Sequence, residues 1–100
     1  MNVLKLNNGK CEMYSTRGQY LRTICTSGVV DADLSHDGSM VLVTLQNGKV
    51  ELRRENGSYV RLIATSNAVS ARWVGDDVAV RLANGKTELR RENGAYIKMI

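Results

Sequence analysis

The feature that most limits what this chain can fold into is a threefold internal repeat. Asn8-Gly9-Lys10, Asn47-Gly48-Lys49 and Asn84-Gly85-Lys86 recur at spacings of 39 and 37 residues. Such a period belongs to stacked structural units rather than to one irregular domain. Tyr20, Tyr59 and Tyr96 keep the same two spacings, as do Glu12, Glu51 and Glu88, and Ile24, Ile63 and Ile100. Whole units therefore repeat. The second and third are nearly the same text, NGKVELRRENGSYVRLI against NGKTELRRENGAYIKMI. The 100 residues divide into units at about 1–27, 28–66 and 67–100 of a single repeat domain.

Each unit reads as hairpins. Five Asn-Gly pairs, at 8–9, 47–48, 56–57, 84–85 and 93–94, are joined by Asp37-Gly38. Asparagine and glycine tolerate the positive φ that strand-matching turns demand, so these pairs mark chain reversals. Between them lie short aliphatic and β-branched runs such as Met40 to Leu45 and Asp77 to Leu82. One full unit gives strand A near Val29 to Leu34, B near Met40 to Leu45, C near Lys49 to Glu55 and D near Tyr59 to Thr65. No stretch sustains apolar residues at helical spacing, so the expected class is all-β. Val3-Leu4-Lys5-Leu6 stands at the same distance before Asn-Gly-Lys as the later B strands, and the order expected is BCD, ABCD, ABCD.

The second unit resembles a WD-repeat type β-propeller blade. The likeness rests on alternating Val30, Ala32 and Leu34, then Ser35-His36-Asp37-Gly38, an apolar strand, Asn47-Gly48, an amphipathic strand, and Gly57 before the last strand. Arg53-Arg54 and Arg90-Arg91 occupy the strand C positions where that family often carries Trp-Asp, and the Gly-His pair before strand A is absent. The resemblance implies a three-blade fragment. Propellers close with about four to eight blades, and an open arc exposes an apolar flank at each end. It therefore implies closure by homo-oligomerisation, with a six-bladed homodimer favoured over a nine-bladed trimer. The alternative architecture is a β-trefoil or β-prism, which closes as a monomer.

Composition narrows the function classes. With 43% hydrophobic residues the chain is expected to be folded rather than disordered, and no apolar run reaches the roughly 18 residues that span a bilayer. The start, MNVLKLNNGK, lacks the pattern of a secretory signal, so a cytoplasmic location without membrane association is expected. Cys11, Cys25 and the single His36 do not form a zinc spacing, and two buried free thiols are expected, with no cofactor.

The arginines are the main candidate binding residues. Arg53, Arg54, Arg90 and Arg91 occupy matched positions, and oligomerisation would multiply them into a ring of charge suited to phosphates or carboxylates. Against this, Glu51, Glu55, Glu88 and Glu92 flank them and offer neutralising partners. Tyr14 stands in the first unit where the others have Arg53 and Arg90, and Trp73 replaces Leu34. Both are candidate contact residues. Asp31 and Asp33 share a strand face, from which Asp33 is expected to pair with Arg72 of the neighbouring unit. Asp76-Asp77 reads as turn chemistry, and no nucleophile with a base is evident. The expected function is non-enzymatic: a scaffold that self-assembles and binds a protein partner. The alternative is a binder of a small anionic ligand, glycan or nucleic acid through the repeated arginines.

Overall fold

The computed structural model describes residues 2–100. The described residues form eleven strands: β1 (Asn2–Asn7), β2 (Lys10–Ser15), β3 (Tyr20–Cys25), β4 (Val29–Leu34), β5 (Met40–Leu45), β6 (Val50–Arg54), β7 (Tyr59–Ala64), β8 (Ala68–Val74), β9 (Asp77–Leu82), β10 (Thr87–Arg91) and β11 (Tyr96–Met99). They make three separate antiparallel sheets in chain order, β1-β2-β3, β4-β5-β6-β7 and β8-β9-β10-β11. Each sheet is one blade, and the first is the three-stranded one. A trefoil, whose strands share one barrel, does not partition in this way.

The blades stack through their first strands, β1 on β4 and β4 on β8. The core lies between blades, as expected when single sheets cannot bury both faces alone. One cluster joins Cys11, Met13, Ile24 and Cys25 of blade 1 to Val29, Val41 and Val43 of blade 2. The other joins Leu42, Val50, Leu52, Ile63 and Ala64 of blade 2 to Ala68, Ala71, Val78 and Val80 of blade 3. Successive residues of β5 thus serve opposite clusters, so its apolar run is continuous rather than alternating. Val41, Leu42 and Val43 are all fully buried. Each such side chain contributes roughly 1.5–3 kcal/mol of burial.

The first hairpin departs from the spacing read in the sequence. Asn7 pairs with Lys10 across a two-residue loop in which Asn8 and Gly9 both have positive φ, at 53° and 79°. In the equivalent turn of blade 2 the Leu45 N–H bonds the Lys49 carbonyl and the Gly48 N–H bonds the Leu45 carbonyl, a three-residue loop. Strand β1 therefore aligns one residue away from where the Asn-Gly-Lys spacing puts it. Leu4 pairs with Met13 as Leu42 pairs with Leu52, and faces the core. A one-residue slip exchanges the two faces of a strand, so Val3 and Lys5 point outward instead.

In the longer turns asparagine acts as an acceptor. Asn47, Asn56, Asn84 and Asn93 each accept, through Oδ1, the backbone N–H two residues on, at 2.9–3.1 Å. This is the local side-chain bond that favours asparagine at reversals.

Candidate functional site

Because strands alternate in direction, the A–B and C–D turns of each blade emerge at the same end. Between blades 2 and 3 these turns enclose a crevice of about 240 Å³, lined by residues that include His36, Asp37, Met40, Trp73, Asp76 and Glu92. Within single units, His36 and Asp76 are residues of separate turns and Glu92 flanks arginine. Nothing in one unit's text pairs them, since the crevice needs two units side by side.

Turn geometry sets the chemistry here. The Asp37 carboxylate accepts from the Ser35 hydroxyl at 2.7 Å, the Ser39 hydroxyl at 2.7 Å and the Ser39 N–H at 3.0 Å. Hydrogen bonds from Ser39 and Ser35 to the charged form lower its pKa to about 2, so it stays ionised. Asp76 and Glu92 add two further carboxylates to the lining, while Met40 and Trp73 also pack against the core. An apolar surface beside carboxylates suits a cationic side chain with an aliphatic stem.

Trp73 is held by Asp33 of the preceding blade. Its backbone N–H donates to Asp33 Oδ2 at 2.9 Å, and its indole Nε1 donates to the Asp33 carbonyl at 3.2 Å. The expected Asp33–Arg72 pairing is replaced: the Arg72 guanidinium bonds both oxygens of Asp31, which raises its pKa. Asp33 is already taken by the Trp73 backbone and indole N–H groups. An ion pair between blades does form, through the other aspartate.

The four candidate arginines divide into two kinds. Arg53 is partly buried and donates to Glu51 at 3.0 Å, to the Gly57 carbonyl at 2.9 Å and to the Ile24 carbonyl of blade 1 at 3.3 Å. Arg90 repeats this with Glu88 at 3.2 Å and the Gly94 carbonyl at 2.8 Å. Each guanidinium also lies over the tyrosine that follows its turn, Tyr59 or Tyr96. The glutamates pair along the strand, two residues away, rather than across it. Arg53 and Arg90 thus have their donors engaged within the fold. Arg54 and Arg91 are exposed. None of the four is among the residues that line the crevice.

Tyr14 fills the corresponding slot of blade 1. Its hydroxyl donates to Glu12 at 3.4 Å, its ring meets Tyr20 edge-on at 5.8 Å, and Lys5 lies 5.5 Å from its centroid. Partial desolvation and the Glu12 carboxylate raise the phenol pKa. With Val3, Ser15, Thr16 and Gly18, Tyr14 and Lys5 line a mainly apolar hollow of about 380 Å³ on the outer flank of blade 1. Trp73 and Tyr14 therefore belong to different surfaces.

Cys11 and Cys25 are free, buried and directly opposite one another across β2 and β3. Burial raises the Cys11 pKa to about 11. Among the described residues no helix is long and apolar enough to cross a membrane.

Neither a known protein family nor any curated protein matches the sequence. Among solved structures 29 chains match. One is the crystal structure of BamB from Moraxella catarrhalis, similar with a TM-score of 0.74 at 15% identity. That similarity covers 98% of this chain and 34% of BamB, so the chain spans about a third of its length. At this identity the likeness bears on architecture alone: the chain has an all-β, propeller-like fold of three consecutive antiparallel sheets.

Proposed function

We propose that this chain is a non-enzymatic scaffold of divergent WD-repeat type, which associates with itself and takes up a protein partner at the crevice between blades 2 and 3. The observation that carries the partner reading is the lining of that crevice: Trp73 and Met40 beside Asp37, Asp76 and Glu92. This chemistry fits an arginine or lysine side chain projecting from another protein, with the stem on the apolar surface and the charge among carboxylates. It disfavours an anion at the same place. The engaged donors of Arg53 and Arg90 weaken the anion reading further, leaving it to Arg54 and Arg91.

Trp73 is the single tryptophan, so its fluorescence reports directly on the crevice. The test is titration with an arginine-containing peptide, a glutamate-containing peptide, heparin and an oligonucleotide. A saturable response to the basic peptide, lost in Asp76→Asn/Glu92→Gln and at high salt, supports the proposal. Saturable binding of heparin or oligonucleotide that depends on Arg54 and Arg91, with no basic-peptide response, overturns it. Light scattering tests self-association separately, since a strictly monomeric particle of 11.1 kDa rules it out.

A further inference from the structure

Two inter-blade contact sets repeat within the chain, and each free flank carries one half of a third. Where blade 1 meets blade 2, Arg22 of β3 donates to the Glu55 carbonyl at 3.2 Å. Where blade 2 meets blade 3, Arg61 of β7 donates to the Glu92 carbonyl at 3.1 Å. The turn that follows each glutamate then closes on the preceding blade. A Cβ on Gly57 would lie 3.3 Å from the Thr23 carbonyl oxygen, and one on Gly94 would lie 3.3 Å from that of Leu62. Glycine is required here on two grounds, this approach and φ values of +92° and +91°.

Among the described residues, the corresponding residues of the two outer flanks lack partners of this kind. Blade 3 has the donor half: Lys98 at the position of Arg22 and Arg61, Met99 at that of Thr23 and Leu62, and Ile100 at that of Ile24 and Ile63. Ile24 and Ile63 are 2% and 3% exposed, whereas Ile100 is 69% exposed. Blade 1 has the receiving half: Thr16 at the position of Glu55 and Glu92, and Gly18 at that of Gly57 and Gly94. Among the described residues, its own chain neighbours aside, no atom lies within 4 Å of a Cβ built on Gly18. Beside Gly18 is the hollow lined by Val3, Lys5, Tyr14 and Thr16.

We propose that the occupant of this hollow is the Lys98–Ile100 edge of a second copy of the chain. In this contact Lys98 donates to the Thr16 carbonyl, the Gly18 turn lies on the Met99 backbone, and Ile100 is covered beside Val3 and Tyr14. It continues a contact the chain already makes twice, and two such head-to-tail contacts close two three-blade chains into six blades. This inference rests on the self-association proposed above and names its surface.

The test measures particle mass by light scattering and sedimentation for the unchanged chain, Val3→Glu and Ile100→Asp. Val3 and Ile100 are exposed in the single chain, so neither change disturbs its core. The expected result is a two-chain particle for the unchanged protein. Each variant should weaken it by about tenfold or more, with circular dichroism and melting of the dissociated chain unaltered. A two-chain particle that neither variant weakens overturns this contact while leaving self-association standing. An unchanged protein that is monomeric at every concentration overturns both.

Discussion

Asp33 grips Trp73 at two points, its carboxylate taking the backbone N–H at 2.9 Å and its carbonyl taking the indole N–H at 3.2 Å. This pairing places the tryptophan that lines the crevice and ties the first strand of blade 2 to that of blade 3. Asp33→Ala removes a charged acceptor from a backbone N–H and should cost about 1.5–3 kcal/mol. Asp33→Asn keeps an acceptor and should cost less. Chemical denaturation followed by Trp73 emission measures both, and a negligible loss in Asp33→Ala would show that the carboxylate bond contributes little.

Arg53 and Arg54 are adjacent and should behave differently. Arg53→Ala strands the Ile24 and Gly57 carbonyls and unpairs Glu51, with an expected loss of about 1.5–3 kcal/mol. Arg54→Ala changes an exposed side chain and should stay within about 0.5 kcal/mol of the original. Urea midpoints of the two variants give the comparison. A larger loss at Arg54 would contradict the division of the arginines into structural and exposed members.

Thr44 is fully buried, and its hydroxyl is the buried side-chain oxygen without a hydrogen-bond partner among the described residues. Thr44→Val replaces it with a methyl of similar size in a β-branched side chain. Removing the unmet polar group should stabilise the chain by about 1 kcal/mol, or roughly 4–8 °C in Tm for a domain of this size. Calorimetry reads the shift, and a lower Tm would mean that the hydroxyl is satisfied in solution.

The Asp37 turn has a defined pH window. Its pKa is about 2 when folded against 3.8 ordinarily. A depressed carboxylate pKa contributes stability that is present above the ordinary value and is lost as pH falls towards 2. In an NMR titration Asp37 should have its midpoint near 2. The Ser35→Ala/Ser39→Ala variant should move that midpoint up towards 3.8. An unmoved midpoint would remove the serines as its cause.

Cys11 and Cys25 face each other in the core with the Cys11 thiol pushed up to about 11 from 9.0. A raised thiol pKa contributes stability below the ordinary value and loses it as pH rises from 9 towards 11. At neutral pH both thiols should react with Ellman's reagent much more slowly in the native chain than in guanidinium. Equal rates would show that the interface between blades 1 and 2 opens freely.

The repeat text alone defined three units, their hairpins and the missing strand of the first, because turn chemistry and strand patterning are local and appear wherever the chain reverses. Position within a unit was legible too, as Tyr14 does stand where Arg53 and Arg90 stand. Relations that depend on a single inserted residue or on two units at once were not legible. The slip that turns Leu4 inward comes from one residue of loop length. Arg72 reaches Asp31 rather than Asp33, whose carboxylate is taken by the Trp73 backbone. The acidic crevice joins His36, Asp76 and Glu92 across two blades. The duplicated arginines looked equivalent in the sequence, yet stacking sends Arg53 into the contact with the preceding blade and leaves Arg54 in solvent. Side-chain direction in a strand alternates with every residue, and only the packed neighbour determines which of the two directions is buried.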